Sequence, residues 1–204
     1  MKSVSGKRGY TAATMVFAAA LCSGNVASAE EYSIKKGEFA GSFETSFFTF
    51  NGETVISTIA NGSTDKKGPG EYQSQTLSDL TYFSPARYCK SADGQFDGIA
   101  FFVSKSRAVL TFKKGQLYLE AGSGSAPVNP DGCMYVDTND GQNHFELGVT
   151  YNVTGGSGKF SGASGSLYSE SEGVVLEATE GYVGDALFGA TTGKLSGDFC
   201  TDCP

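Results

Sequence analysis

The chain has 204 residues; only 18% are charged, 28 are glycine, none is tryptophan, and 15 Phe and 10 Tyr supply the aromatic rings. That mix excludes a coiled coil, a helical bundle and a charged disordered segment. A net charge of −7 argues against a surface for nucleic acid or an anionic membrane, so no nucleic-acid partner is expected.

The N-terminus reads as an address. Lys2, Lys7 and Arg8 precede the apolar run from Thr11 to Cys22, and Ala27-Ser28-Ala29 comes just ahead of Glu30. A basic start, a short apolar stretch and a small-x-small tripeptide predict a secretory signal peptide over residues 1–29, cleaved after Ala29. The run falls short of the roughly twenty apolar residues that a membrane span requires. No later stretch reaches that length, so no membrane span is expected. Lipid attachment at Cys22 is disfavoured, because the bulky Leu21 sits where a small residue belongs. Cleavage leaves 12 bases against 22 acids, a net charge of −10 on residues 30–204, read as one secreted or periplasmic domain.

Beyond the leader no window sustains apolar residues at helical spacing, and alternation punctuated by glycine takes over. Strands are expected over 38–50, 53–60, 71–83, 97–104, 107–113 and 116–121, then over 133–138, 143–153, 159–169, 173–178 and 187–199. Asn51-Gly52, Asn61-Gly62, Lys114-Gly115, Asp131-Gly132 and Asp140-Gly141 mark turns. Residues 62–70 read as a mobile loop, and 122–132, with two prolines, as a longer excursion. Neither is long enough to separate domains. Many short strands joined by tight turns predict an all-β fold: a single antiparallel β-barrel of about eight strands with no substantial helix. Phe39-Ala40-Gly41, Phe96-Asp97-Gly98, Phe160-Ser161-Gly162 and Leu195-Ser196-Gly197 repeat one pattern. Residues two apart share a strand face, and a large–small alternation fits the tapered interior of a small barrel.

Four cysteines remain after cleavage: Cys89, Cys133, Cys200 and Cys203. An even count in an exported chain predicts two disulfides, with three connectivities open. The expected pairing joins Cys200 and Cys203 separately to Cys89 and Cys133, stapling the C-terminal tail to the body. Closing such long loops stabilises by about 4–5 kcal/mol in the chain-entropy picture. A redox role for Cys200-Thr201-Asp202-Cys203 is weaker, because no helix comes after it to lower a thiol pKa. Zinc would need all four thiolates gathered, in competition with disulfide formation. No metal and no cofactor are expected.

The most specific stretch is Val153-Thr154-Gly155-Gly156-Ser157-Gly158-Lys159-Phe160-Ser161-Gly162-Ala163-Ser164-Gly165. Consecutive glycines permit positive φ, and Phe160 then returns at once to the core. A phosphate cradle is disfavoured, since the residues after Gly158 will not make a helix. The stretch resembles the turn shared by plant allene oxide cyclases, dirigent proteins and exported bacterial barrels of the same type. There a strand enters a Gly-Gly-Ser/Thr-Gly turn and leaves through Phe-x-Gly. Similarity extends from Gln95 through the 107–121 hairpin to Thr192-Gly193-Lys194-Leu195-Ser196-Gly197. The resemblance implies Gly155, Gly156, Gly158, Phe160 and Gly162 as turn residues, and a barrel that holds a hydrophobic molecule. Plant cyclases of this kind use a first-strand carboxylate, for which Glu44 is the candidate, and a cavity-facing cysteine, which has no mid-strand counterpart here.

Strand parity sorts the remaining candidates. Phe145, Leu147, Val149, Tyr151 and Val153 share one face and His144 the other, so His144 is expected on the solvent side. Glu44 opposes Phe39, Phe43 and Phe47, while Arg107 and Lys113 oppose Ala108, Leu110 and Phe112. The expected inner wall is aromatic and aliphatic, with phenols such as Tyr151, suiting either a packed core or an apolar ligand site. The function expected is an exported, disulfide-stabilised barrel that binds a hydrophobic small molecule or acts through its surface, without catalysis. Two alternatives are an isomerase or cyclase using Glu44 and Tyr151, and a structural or adhesive domain meeting a protein partner or a homo-oligomer. Mass spectrometry of the exported protein should find Glu30 at its N-terminus; an intact Met1 or a lipidated Cys22 would overturn that expectation.

Overall fold

The computed structural model describes residues 29–48, 53–176 and 186–203. Residues 1–28 of the expected leader, the Asn51-Gly52 turn and residues 177–185 lie outside the described residues. Ten strands run in chain order: β1 (Glu30–Phe48), β2 (Glu53–Ser63), β3 (Glu71–Tyr82), β4 (Tyr88–Lys90) and β5 (Asp97–Phe112). They continue as β6 (Gly115–Ala121), β7 (Gly132–Asp137), β8 (Gln142–Gly158), β9 (Ser164–Leu176) and β10 (Ala186–Thr201).

Eight of these close an antiparallel up-and-down barrel in the order β1-β2-β3-β5-β6-β8-β9-β10, with β10 returning to β1 from Thr201↔Glu30 to Ala186↔Ser46. The two short strands fill gaps: β4 continues the line of β3 along β5, and β7 continues that of β6 between β5 and β8. No helix among the described residues is long and apolar enough to cross a membrane. Alternation sets the two faces, as in β8, where Val149, Tyr151 and Val153 are buried between exposed Thr150 and Asn152.

Several boundaries differ from the expected ones, each for a local reason. The stretches 97–104 and 107–113 form one strand, because a register shift opposite Asp79/Leu80 turns the polar interruption at Ser104-Lys105 into a bulge. Buried Phe101 and Val103 precede it, and buried Ser106, Ala108, Leu110 and Phe112 come after it. Asn61-Gly62 is not a turn; β2 runs through it to Ser63, and Gly62 pairs with Tyr72. The loop after Ser63 is tied down, the Gly70 N–H donating to Thr64 Oγ1 (2.8 Å) and the Lys35 N–H to the Asp65 carboxylate (3.2 Å). β8 likewise runs on through Gly155, Gly156 and Gly158, which pair with β6, and the chain reverses over 159–162. Gly158, at φ +61°, starts that reversal, and Phe160 drops into the base of the barrel.

The inner wall is built from rings laid on glycines. Phe39 lies opposite Gly193, Phe43 opposite Gly189, Tyr72 opposite Gly62, Phe101 opposite Gly132 and Phe145 opposite Gly173. A Cβ at any of these glycines would collide with the facing ring. The expected alternation along a single strand is met by Phe39 and Gly41 on β1 and by Leu195 and Gly197 on β10, but Phe96 precedes β5 and Phe160-Ser161-Gly162 forms a turn. The ring-on-glycine pairing runs across strands instead, each ring taking the room its partner's missing side chain leaves.

The two ends of the barrel are made differently. At the base, Tyr32 stacks on Phe199 with ring centroids 4.8 Å apart, and Phe160 packs against Tyr32 at 5.6 Å and Phe112 at 5.2 Å. Lys159 pairs with Glu30 at 2.9 Å beside this plug. At the other end β4 pairs with the start of β5, and the 122–131 excursion hydrogen-bonds alongside it, the Asp131 N–H donating to the Phe101 carbonyl at 3.1 Å. There Phe83, Ala100 and Phe102 form a second small apolar cluster, with the Arg87 guanidinium 4.3 Å from the Phe83 ring centroid. Arg87 also donates to the Val128 carbonyl at 2.9 Å.

Both disulfides form, but not in the expected pairing. Cys89 bonds Cys133, with Cα atoms 5.8 Å apart, and Cys200 bonds Cys203. The reason is position in the barrel. Cys89 and Cys133 flank Gly98 and Ala100 of β5, whereas Cys200 sits between Glu31 and Ser164 at the opposite end. Side chains on opposite ends cannot come within the roughly 7 Å between Cα atoms that a disulfide allows. The tail is held by its ladders to β1 and β9 instead.

Replacing Gly193 by Val should destabilise by about 3 kcal/mol, since the new side chain meets the Phe39 ring and the Glu170 carbonyl. Gly158→Val should cost about 1–3 kcal/mol through its left-handed backbone. Ser157→Ala should stay within about 0.5 kcal/mol. Denaturant unfolding of the three variants checks this order.

Candidate functional site

The rings at the wall leave the middle of the barrel unfilled. A cavity of about 200 Å³ lies inside, bounded by rings that face glycines, among them Phe39, Phe43, Tyr72, Phe101 and Phe145, and by aliphatic groups such as Leu147, Val149 and Leu195. One side of it is hydroxylic. The inner face of β3 presents Ser74, Thr76 and Ser78 between Tyr72 and Leu80, and Thr58 of β2 stands opposite Thr76. Ser169 and Ser171 of β9 line it from another wall. No carboxylate, amine, guanidinium, imidazole or thiol is among the described lining residues.

Three hydroxyls form a chain at this wall. Ser106 Oγ lies 2.7 Å from Ser78 Oγ and 3.0 Å from the Tyr151 hydroxyl. The bulge in β5 makes this possible, because it shifts the inward parity of that strand onto Ser106. Burial raises the Tyr151 pKa, with the neighbouring Ser106 and Ser78 hydroxyls partly offsetting that shift. Tyr72 is pushed up to about 12 by burial alone, and its hydroxyl has no hydrogen-bond partner among the described residues. Tyr82 is also raised by burial, its hydroxyl donating to the Met134 sulfur at 3.7 Å. The cavity's phenols are neutral donors at ordinary pH.

The expected site residues separate. Tyr151 faces the cavity. Glu44 is exposed on the outer face, between Ser57 of β2 and Phe188 of β10. The one bulge in β1 falls between Ile34 and Gly37, upstream of Glu44, and leaves its parity unchanged. Glu44 and Tyr151 therefore stand on opposite faces of the wall and cannot act on one substrate. His144 faces outward, its ring stacked on Tyr135 (5.8 Å between centroids) and its Nε2 2.9 Å from Asp140 Oδ2. Asp137 joins these two in a group whose ligand-type atoms lie within 4.8 Å of one another. The Gln142 N–H and His144 hold the Asp140 carboxyl below the usual range. The His144–Asp140 contact and the turn hydrogen bonds, the Asn139 N–H to Asp137 Oδ1 and the Gln142 N–H to Asp140 Oδ1, hold this cluster together.

The β3 hydroxyls do not stand out in the sequence, because Glu71-Tyr72-Gln73-Ser74-Gln75-Thr76-Leu77-Ser78 is polar at both parities. The signal lies in which polar groups alternate. Charged and amide side chains occupy one face, and small hydroxyls, which can share protons with a wall, occupy the other. Comparison of the chain with models of protein families, with curated proteins and with solved structures returns no match in any of the three.

Stability should depend on pH through these phenols. An unfolded tyrosine titrates near 10; Tyr72 titrates at about 12 in the fold. The raised value favours the protonated folded state, so this contribution is complete below pH ~10 and is lost as pH climbs toward 12. Urea midpoints should fall across that interval, and less steeply for Tyr72→Phe, which has no phenol to ionise.

Proposed function

We propose that this chain is an exported β-barrel that binds a small hydrophobic molecule within the barrel and performs no chemistry on it. The observation that carries this reading is the cavity itself: about 200 Å³ of space lined by rings, aliphatic groups and hydroxyls, with no titratable acid–base pair among the described residues facing it. An engineered cavity of about 150 Å³ suffices to bind benzene, so the space suits a ligand of roughly one ring. General acid–base catalysis needs a group that changes protonation near the working pH. The phenols here are shifted away from it.

Export is supported by the leader pattern and by two disulfides, which persist in oxidising compartments. Membership among the allene oxide cyclase-like barrels is supported by the Gly155–Gly162 stretch and by the eight-stranded barrel. The exposed position of Glu44 favours binding over a cyclase reaction.

Thermal unfolding with saturating ethylbenzene tests the reading. A ligand at one hundred times its Kd stabilises the fold by about 2.7 kcal/mol, so the melting temperature should rise. Ala108→Leu, which puts three carbons into the cavity from β5, should abolish that rise. An unchanged melting temperature of the unmodified protein would overturn the proposal.

A further inference from the structure

The three-hydroxyl chain fixes what kind of molecule the cavity takes. Ser78, Ser106 and Tyr151 carry one O–H proton each, and the two hydrogen bonds that join them use two. One proton is left over. If the chain runs from Tyr151 through Ser106 to Ser78, the spare O–H is on Ser78. If it runs the other way, the spare O–H is on Tyr151. The third arrangement has both ends donating to Ser106 and strands the proton of Ser106, which is 1% exposed and bonds only these two groups among the described residues. A buried donor without an acceptor is costly, so that arrangement is disfavoured. Ser78 and Tyr151 both line the cavity and Ser106 does not. Whichever direction the chain takes, it delivers one hydrogen-bond donor to the cavity.

The charge of the ligand is set by the same wall. A carboxylate would enter a space with no lining cation, and an ammonium one with no lining carboxylate, among the described residues. Either would stand uncompensated in an apolar interior. We infer that the barrel selects a neutral, single-ring-sized molecule bearing a hydrogen-bond-accepting oxygen, of the ketone, ester or ether class, received by the Ser78 or Tyr151 hydroxyl at either end of the Ser78–Ser106–Tyr151 chain. This inference rests on the proposed binding function and specifies its ligand.

Acetophenone, ethylbenzene and benzoate have nearly the same shape and differ in the acceptor and the charge. Calorimetric titration of the disulfide-intact protein with each should show acetophenone binding and benzoate at least about tenfold weaker. Tyr151→Phe leaves Ser106 and Ser78 with a spare proton on Ser78, and Ser78→Ala leaves it on Tyr151. Each single variant should therefore keep acetophenone affinity within about twofold. The Ser78→Ala/Tyr151→Phe double variant loses both outlets and should weaken acetophenone by about three- to tenfold, the range of one net hydrogen bond, with ethylbenzene unaffected. An unchanged acetophenone-to-ethylbenzene ratio in the double variant would overturn the inference alone, as would benzoate binding as tightly as acetophenone. Failure of all three compounds to bind the unmodified protein would overturn the binding function itself. Should the double variant not fold, the infrared carbonyl band of acetophenone bound to the unmodified protein decides. A shift to lower frequency than in hydrocarbon solvent is expected; an unshifted band would overturn the inference.

Discussion

The cross-strand seating of aromatic rings on glycines is the constraint on which the interior depends. A barrel of eight strands is just wide enough for inward side chains to fill it. Here five rings lie against the wall over glycines and do not reach for the axis. Each such pair removes one side chain from the middle and flattens another. The rings still leave water, so their burial stabilises the sheet, while the space they vacate stays open. The wall and the hollow are consequences of the same pairing, and a larger residue at any of these glycines would alter both.

Against that hollow half, the base supplies the packing. Tyr32, Phe112, Phe160 and Phe199 meet there in edge, tilted and stacked contacts, and Leu117 and Leu167, both fully buried, belong to the same core. Phe160 reaches this cluster because the chain reverses just after Gly158. At the far end the Cys89–Cys133 disulfide ties the two short strands on either side of β5, where the ladders are shortest. The plug and the covalent tie sit at opposite ends of an interior that contributes less packing of its own.

Much of this was legible in the sequence. Phe145 to Val153 alternate cleanly, so β8 and its inward face could be read directly, and the orientation of Tyr151 and His144 with them. The parity of Glu44 was readable too, though only the position of the bulge at Ile34/Gly37 fixes it. Other features depend on a partner strand that a single chain does not display. Ser104-Lys105 looks like a break unless β3 is beside it to make it a bulge. Gly62 looks like a turn residue unless Tyr72 lies across it. The cysteine pairing turns on which end of the barrel each strand reaches, and the spacing of the four cysteines does not display that. Whether the interior is full or hollow depends on ring rotamers at five positions, which alternation does not encode.

The seam between the first and last strands has a consequence for the order of events during synthesis. Glu30 pairs with Thr201, so the bonds that close the barrel join the two ends of the described chain. While the polypeptide is still emerging, β1 can pair with β2 but has no second neighbour, and its row of backbone donors and acceptors stays open. Contacts of such long range are made late, because the loop-closure entropy must be met before they form. The cylinder therefore stays an open, curling ribbon until β10 has been made, and the hollow interior comes into being only with the final strand.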